Sequence, residues 1–161
     1  MPHDMLARMA TKGKATKQAA TDSQYHALAE FRYHIRRYLD FSDQAARSAG
    51  LEPKQYQLLL ALKGLPVGLL PTVTALAQQL GTRHHSTVEL VNRAERNGLV
   101  RRTRSGNYVH VQLTRKGEGT LARVVEERLQ ELRVAGPVLV KALQQLLTND
   151  RPSASSAKNR K

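Results

Sequence analysis

The most informative segment of the chain, residues 82–117, reads TRHHSTVELVNRAERNGLVRRTRSGNYVHVQLTRKG. Small and apolar side chains recur at helical spacing in its first half, at Thr87, Leu90, Val91 and Ala94. Thr82 is placed to cap this helix, which we expect to run from Arg83 to Asn97. The pattern predicts an amphipathic helix with one face in a core and the opposite face open to a partner.

After Gly98 the apolar period changes from that of a helix to that of a strand. Apolar and polar side chains alternate over residues 108–113, which is typical of a half-buried strand. We expect residues 99–104 to pair with this strand across a turn at residues 105–107. A short helix at residues 72–80 precedes the segment. Together these elements predict a winged helix-turn-helix, a mainly α fold with a small β-hairpin wing (α+β).

Long amphipathic helices flank this unit on both sides. One is expected at residues 23–48, and the other follows the cap residue Thr114 and breaks or kinks at Gly136-Pro137. So much apolar and aromatic surface near the termini indicates burial against a partner subunit. The residues expected in this dimer interface are Phe31, Ile35, Leu129, Leu132, Leu139 and Leu143.

The chain is therefore expected to divide into three kinds of region. Residues 49–113 form the winged helix-turn-helix, and residues 23–48 and 114–147 form the helical dimerisation region. The basic residues at the two ends, 1–22 and 148–161, are predicted to be disordered arms that attract phosphates weakly.

The charge of the chain points to an anionic partner. The formal net charge is +13, and residues 81–117 carry eight arginines and lysines against two glutamates. Such a concentration favours nucleic acid over a membrane surface. Because the chain has no cysteine, disulfides, Cys-ligated metals and thiol catalysis are excluded. We expect a cytoplasmic protein without a membrane partner, since no apolar run is long enough to span a bilayer.

The candidate DNA contacts lie on the predicted second helix and on the wing. A helix fits the major groove, where hydroxyl, imidazole, amide and carboxylate groups read base edges. Arginines near a hairpin turn suit phosphate contact or insertion into the minor groove. The helical candidates are Arg83, His84, His85, Ser86, Val88, Glu89, Asn92 and Arg93. The wing candidates are Arg101, Arg102, Arg104, Ser105 and Asn107.

Three motifs in this order make the sequence resemble the MarR family of bacterial transcription regulators. They are the helix from His85 to Asn97, the following Gly-Leu-Val-Arg-Arg, and Leu-Thr-Arg-Lys-Gly at residues 113–117. The resemblance covers about residues 25–147 and implies a homodimeric repressor, nucleoid-associated when bound to a palindromic operator. It also implies release by a small aromatic or phenolic effector, and the residues expected to line such a cleft are Tyr25, Phe31, Tyr33 and Tyr38.

The sequence departs from the family pattern at two places. The wing is about three residues shorter and lacks an Asp-x-Arg pair near its tip, so Arg104 is the nearest substitute. Glu89 stands where the family often has a basic residue, and it either reads a cytosine or pairs with an arginine such as Arg93. Arg93 itself is expected either to contact DNA or to pair with Glu89 or Glu95.

Several other functions find little support in the residues. No Ser-His-Asp arrangement, phosphate loop or paired carboxylates indicate an enzyme, and no cofactor is expected. His84 and His85 point about 100° apart on a helix and cannot share a metal. Arg115 and Lys116, in the first turn of a helix, are understood most easily if a phosphate lies nearby. Two alternatives stay open: an architectural or protein-interaction winged helix that binds DNA non-specifically, and a ligand-binding protein that has lost DNA binding.

Overall fold

The computed structural model describes residues 20–148, and the sequence-predicted fold class is confirmed. The elements are α1 (Asp22–Ser48), α2 (Pro53–Lys63), α3 (Val73–Leu80), α4 (His84–Arg96), β1 (Val100–Ser105), β2 (Tyr108–Leu113) and α5 (Arg115–Thr148). The two strands pair antiparallel and form the wing. The predicted basic arms lie outside the described residues except at their inner ends, where Thr21 and Asp22 begin α1 and Thr148 ends α5.

Threonine side chains start three of the helices. Thr21 caps α1 in a reciprocal box with Gln24, and Thr72 caps α3. The Thr114 hydroxyl accepts a hydrogen bond from the Gly117 N–H at 3.0 Å, so the cap predicted for α5 is present. The cap predicted for α4 is wrong, because Arg83 occupies the N-cap and the Thr82 hydroxyl lies 2.8 Å from the Thr87 hydroxyl instead.

The long C-terminal helix runs through Pro137 without interruption, so the predicted break is wrong. A proline inside a helix loses one backbone hydrogen bond and crowds the preceding turn, at a cost of about 3 kcal/mol. The helix tolerates this because α5 packs along α1 over much of its length. Tertiary packing here outweighs the local preference of the chain.

The core lies between α2, α3, α4, the wing and the first turns of α5. Its fully buried side chains are Leu58, Leu59, Leu76, Val91, Val100, Val111 and Val124. In the wing Val100 pairs with Leu113 and Arg102 with Val111, which puts the base of the hairpin into the core. Further out Val109 is exposed, so the predicted half-buried alternation holds only near the base of the wing.

The two long helices contribute few side chains to this core. Leu121 and Val124 of α5 are buried, whereas Leu129 and Leu132 are exposed in the single chain. On α1 the buried residues are the small Ala27, Ser42, Ala45 and Ala46, and the last two belong to the core. Within residues 20–148, none of the helices could serve as a membrane span.

Candidate nucleic-acid interface

Helix α4 has one buried face and one exposed face, as its sequence pattern predicts. Thr87, Leu90, Val91 and Ala94 are all buried. The residues exposed at the N-cap and over the first half of α4 are Arg83, His84, His85, Ser86 and Glu89; we call this set the outer face of α4. Val88, Asn92 and Arg93 are half-buried at its edges.

The turn between α3 and α4 sets the direction of α4 relative to α3. Gly81 ends α3 in the left-handed conformation with φ of 62°. The fully buried Thr87 hydroxyl then donates to the Arg83 carbonyl at 3.1 Å and contacts Thr82. These contacts hold the start of α4 against the core, so its outer face projects from the protein as a rigid surface.

Arg102 connects the wing to α4. Its backbone N–H donates to one Glu95 carboxylate oxygen at 3.0 Å, and its guanidinium donates to the other oxygen. The same guanidinium donates to the Asn92 side-chain oxygen at 2.7 Å. Both Arg102 and Asn92 were sequence candidates for DNA contact, and the structure engages each of them within the protein. Asn92 and Glu95 are three residues apart and lie on one edge of α4, a spacing that lets both side chains bond one arginine of the wing.

The ion pair of Arg93 differs from both partners suggested by the sequence. The Arg93 Nε atom lies 3.7 Å from a carboxylate oxygen of Glu52, the N-cap residue of α2, rather than beside Glu89 or Glu95. The pair joins the end of α4 to the start of α2. The Glu89 Oε1 atom lies 3.9 Å from the Nε2 atom of His85 instead.

The tip of the wing is short and polar. The first strand extends to Ser105, one residue further toward the turn than predicted, and the turn is the dipeptide Gly106-Asn107, with Gly106 at φ of 59°. Arg104 faces Val109 across the ladder, and the exposed tip is completed by Ser105. Further down, the Arg101 guanidinium donates to the Gln112 side-chain oxygen at 3.4 Å. Arg104 is exposed, and within residues 20–148 its side chain makes no hydrogen bond or ion pair.

The start of α5 is fastened to the end of α4. The Lys116 ammonium donates to the Asn97 carbonyl at 2.9 Å, next to the C-terminus of α4, where a positive charge is favourable. Lys116 therefore has a partner within the protein, where the sequence suggested a nearby phosphate. Arg115 is exposed. Gly117 packs against the Leu99 carbonyl so closely that a Cβ there would lie 2.0 Å from the oxygen.

A cavity of about 290 Å³ lies between α1 and α5. Its lining includes Tyr38 and Phe41 from α1 and Val138 and Leu139 from α5, with His34 and Arg37 at the polar side. Of the four sequence candidates for ligand contact, Tyr38 lines this cavity. Tyr25 and Tyr33 are exposed and Phe31 is half-buried, so the structure does not gather the four around one space.

Beside this cavity lies a polar cluster that the sequence did not reveal. The buried Arg128 guanidinium stacks 4.2 Å from the centre of the Phe41 ring and is hydrogen-bonded to Glu131. Burial raises the pKa of Tyr56, with Tyr38 adding to the rise, while the Ser42 hydrogen bond and the Arg128 charge oppose it. An arginine four residues after Val124 on an amphipathic helix gave no sequence signal of burial. Within residues 20–148, no three histidine or acidic side chains gather as a metal ion would need.

Comparisons with known proteins agree with this geometry. The MarR family profile matches residues 49–107. No curated protein sequence matches the chain. A MarR family protein from Bacillus stearothermophilus is 27% identical, with a TM-score of 0.63 over 81% of this chain and 99% of its own.

Two similar structures contain DNA. The transcriptional regulator MOSR of M. tuberculosis, solved with DNA, is 25% identical, with a TM-score of 0.52 over 73% of this chain and 91% of its own. Sco3205, a MarR family transcriptional regulator from Streptomyces coelicolor solved with DNA, is 22% identical, with a TM-score of 0.61 over 88% of this chain and 96% of its own.

Proposed function

Because the chain is a MarR-family protein with a winged helix-turn-helix, we propose that it is a sequence-specific transcription regulator that binds double-stranded DNA in the cytoplasm. Members of this family are transcription regulators, not enzymes. The proposal is a homodimeric repressor that occupies a palindromic operator with one wing and one α4 on each half-site. The DNA complexes of MOSR and Sco3205 support the DNA-binding part of it.

The outer face of α4 carries the proposal. It offers imidazole, hydroxyl and carboxylate groups on a helix whose other face is fixed in the core. A helix of this kind fits the major groove, where such groups distinguish base pairs. Arg104, exposed near the tip of the wing, supports a second contact, because its charge suits the phosphates or the minor groove beside a half-site.

The dimer is supported by apolar side chains that the single chain leaves in water. Leu28 and Leu39 of α1 are exposed, as are Leu129, Val134 and Leu143 of α5. Isolated exposed leucines are ordinary, but a run of them along two adjacent helices marks an interface. A second copy of the chain would cover this surface and set two α4 helices in symmetric positions.

The effector part of the proposal is supported by the cavity between α1 and α5. Its volume of about 290 Å³ is at the lower end for small-molecule sites. Tyr38 and Phe41 offer aromatic contact and Arg37 a positive charge, a combination suited to a small aromatic acid or phenol. We expect such a compound to lower operator affinity when a panel of phenols and aromatic acids is titrated into the protein–DNA complex.

The deciding experiment is fluorescence anisotropy with a duplex from the gene's own upstream region and a scrambled duplex of equal length, at two salt concentrations. A regulator should keep its preference for the native duplex at the higher salt, typically by 10³-fold or more. Equal binding to both duplexes that disappears with salt would favour the architectural reading instead. Arg104→Ala should flatten the salt dependence by about one phosphate contact, whereas an unchanged slope would remove Arg104 from the interface.

A further inference from the structure

We propose that Glu89 selects a cytosine in each operator half-site by accepting a hydrogen bond from the cytosine amino group. The inference rests on the proposed function and names the base that the Glu89 side chain recognises. It starts from an unusual feature of the outer face of α4, namely a carboxylate in the middle of a surface built to approach phosphates.

The Glu89 carboxylate has no hydrogen-bond partner among residues 20–148. The His85 Nε2 atom lies 3.9 Å from the Glu89 Oε1 atom, which is beyond hydrogen-bond distance. The side chains are 65% exposed for Glu89 and 78% for His85, so both project into solvent. The carboxylate is therefore available to a ligand that approaches this face.

Two arginines near Glu89 pair with other residues. Arg93, four residues later and in helical register to pair with it, is directed to Glu52 of α2. Arg102 is occupied by Glu95 and Asn92. Neither arginine therefore forms an ion pair with Glu89, and its carboxylate stays available on the surface where we propose that DNA binds.

Burial of that charge in a DNA groove is unfavourable unless a base donates to it. In the major groove the donors are the amino groups of cytosine and adenine. An ionised carboxylate only accepts hydrogen bonds, and adenine presents the acceptor N7 next to its amino group. Cytosine presents its amino group without an adjacent acceptor on the same base. Cytosine is therefore the base that Glu89 accommodates best.

The chain contains a matched control for this chemistry. His26 and Glu30 form the same pair on α1, with the same four-residue spacing and an Nε2 to Oε1 distance of 3.8 Å. Their helix carries no part of the outer face of α4. Glu30→Ala and Glu30→Gln therefore change the same charge without changing base reading.

The test is selection of duplexes from a randomised pool with the full-length wild type, Glu89→Ala, Glu89→Gln and the two Glu30 variants. Wild type and both Glu30 variants should enrich a motif with an invariant cytosine at one position of each half-site. Glu89→Ala should lose the preference at that position alone, and Glu89→Gln should shift it toward adenine, because an amide both accepts and donates. Changing that cytosine should weaken wild-type binding about tenfold and leave Glu89→Ala unaffected.

A cytosine retained at full strength by Glu89→Ala, or a wild-type motif without an invariant cytosine, would overturn the inference while leaving the regulator intact. Enrichment of no motif by the wild type would instead overturn the proposed function. Circular dichroism spectra of the variants should match that of the wild type, since Glu89 is exposed and makes no contact that holds the fold.

Discussion

The winged helix-turn-helix and the pair of long helices differ in how far they bury their apolar side chains. In the winged unit the apolar side chains of α4 and the base of the wing meet others from the same chain. Along α1 the buried residues are small, and larger apolar residues such as Leu39 of α1 and Leu129 of α5 stay exposed. One chain therefore suffices to bury the apolar side chains of the winged unit, whereas the exposed apolar side chains of α1 and α5 would be covered only in the proposed dimer.

The largest effect should come from the point where the winged unit is packed most tightly. Gly117→Ala should lower the free energy of unfolding by about 3 kcal/mol or more, because a Cβ would overlap the Leu99 carbonyl oxygen at 2.0 Å. The matched change Gly119→Ala meets open space and should be neutral or stabilise by up to about 1 kcal/mol. Urea denaturation compares the two, and equal midpoints would show that the close approach is not required.

The second effect should appear in assembly rather than in folding. Leu129→Asp places a charge on the surface that we propose as the dimer interface, and it should weaken the dimer at least tenfold. Sedimentation equilibrium measures this change. Val67→Asp, an equivalent change at a fully exposed valine in the loop between α2 and α3, should leave the dimer unchanged. A Leu129→Asp protein that remains a stable dimer would remove Leu129 from the interface.

A smaller effect should follow when the wing is detached from α4. Arg102→Ala removes the bonds to Glu95 and Asn92 and should cost about 1–2 kcal/mol, since the pair is partly exposed. Arg101→Ala loses only a 3.4 Å bond on the outer side of the wing and should cost less than about 0.5 kcal/mol. The free energy of unfolding from urea titrations separates the two, and identical losses would mean that Arg102 is no anchor.

The smallest effect concerns Tyr56 at the junction of the two regions. Its pKa in the folded protein is raised, mainly by burial, so the folded state holds this proton more tightly than the unfolded state. Stability should therefore fall as the pH rises above about 10, where the unfolded tyrosine ionises. Tyr56→Phe should reduce that alkaline loss in urea titrations at pH 9 and 11. An unchanged pH dependence would show that another group causes it.

Local features of the fold could be predicted from the sequence, and contacts between distant segments could not. The stripe from Thr87 to Ala94 and the alternation in β2 are written within a few neighbouring residues, so periodicity revealed both. The partner of Arg93 could not be found in this way because Glu52 lies on another helix. The course of α5 through Pro137 was missed because packing against α1 overrides the local signal.

The candidate interface shows the same division. Amphipathicity predicted which residues of α4 lie outside, including His85, Ser86 and Glu89. It could not separate residues that are free from residues that are engaged, so Arg102 and Asn92 were grouped with Arg104. Only the three-dimensional arrangement distinguishes a guanidinium that holds the protein together from one that is available to a phosphate.

The hydrogen bonds that join α4 to the wing and to α5 limit how α4 can move. Arg102 joins the wing to α4, the Lys116 ammonium joins α5 to the end of α4, and the Thr114 hydroxyl donates to the Gly98 carbonyl at 2.6 Å. These bonds hold the C-terminal end of α4, and the Thr87 bond to the Arg83 carbonyl holds its start, so α4 is fixed to the winged unit at both ends. In the proposed dimer, a change in the separation of the two α4 helices would therefore move each winged unit as one block.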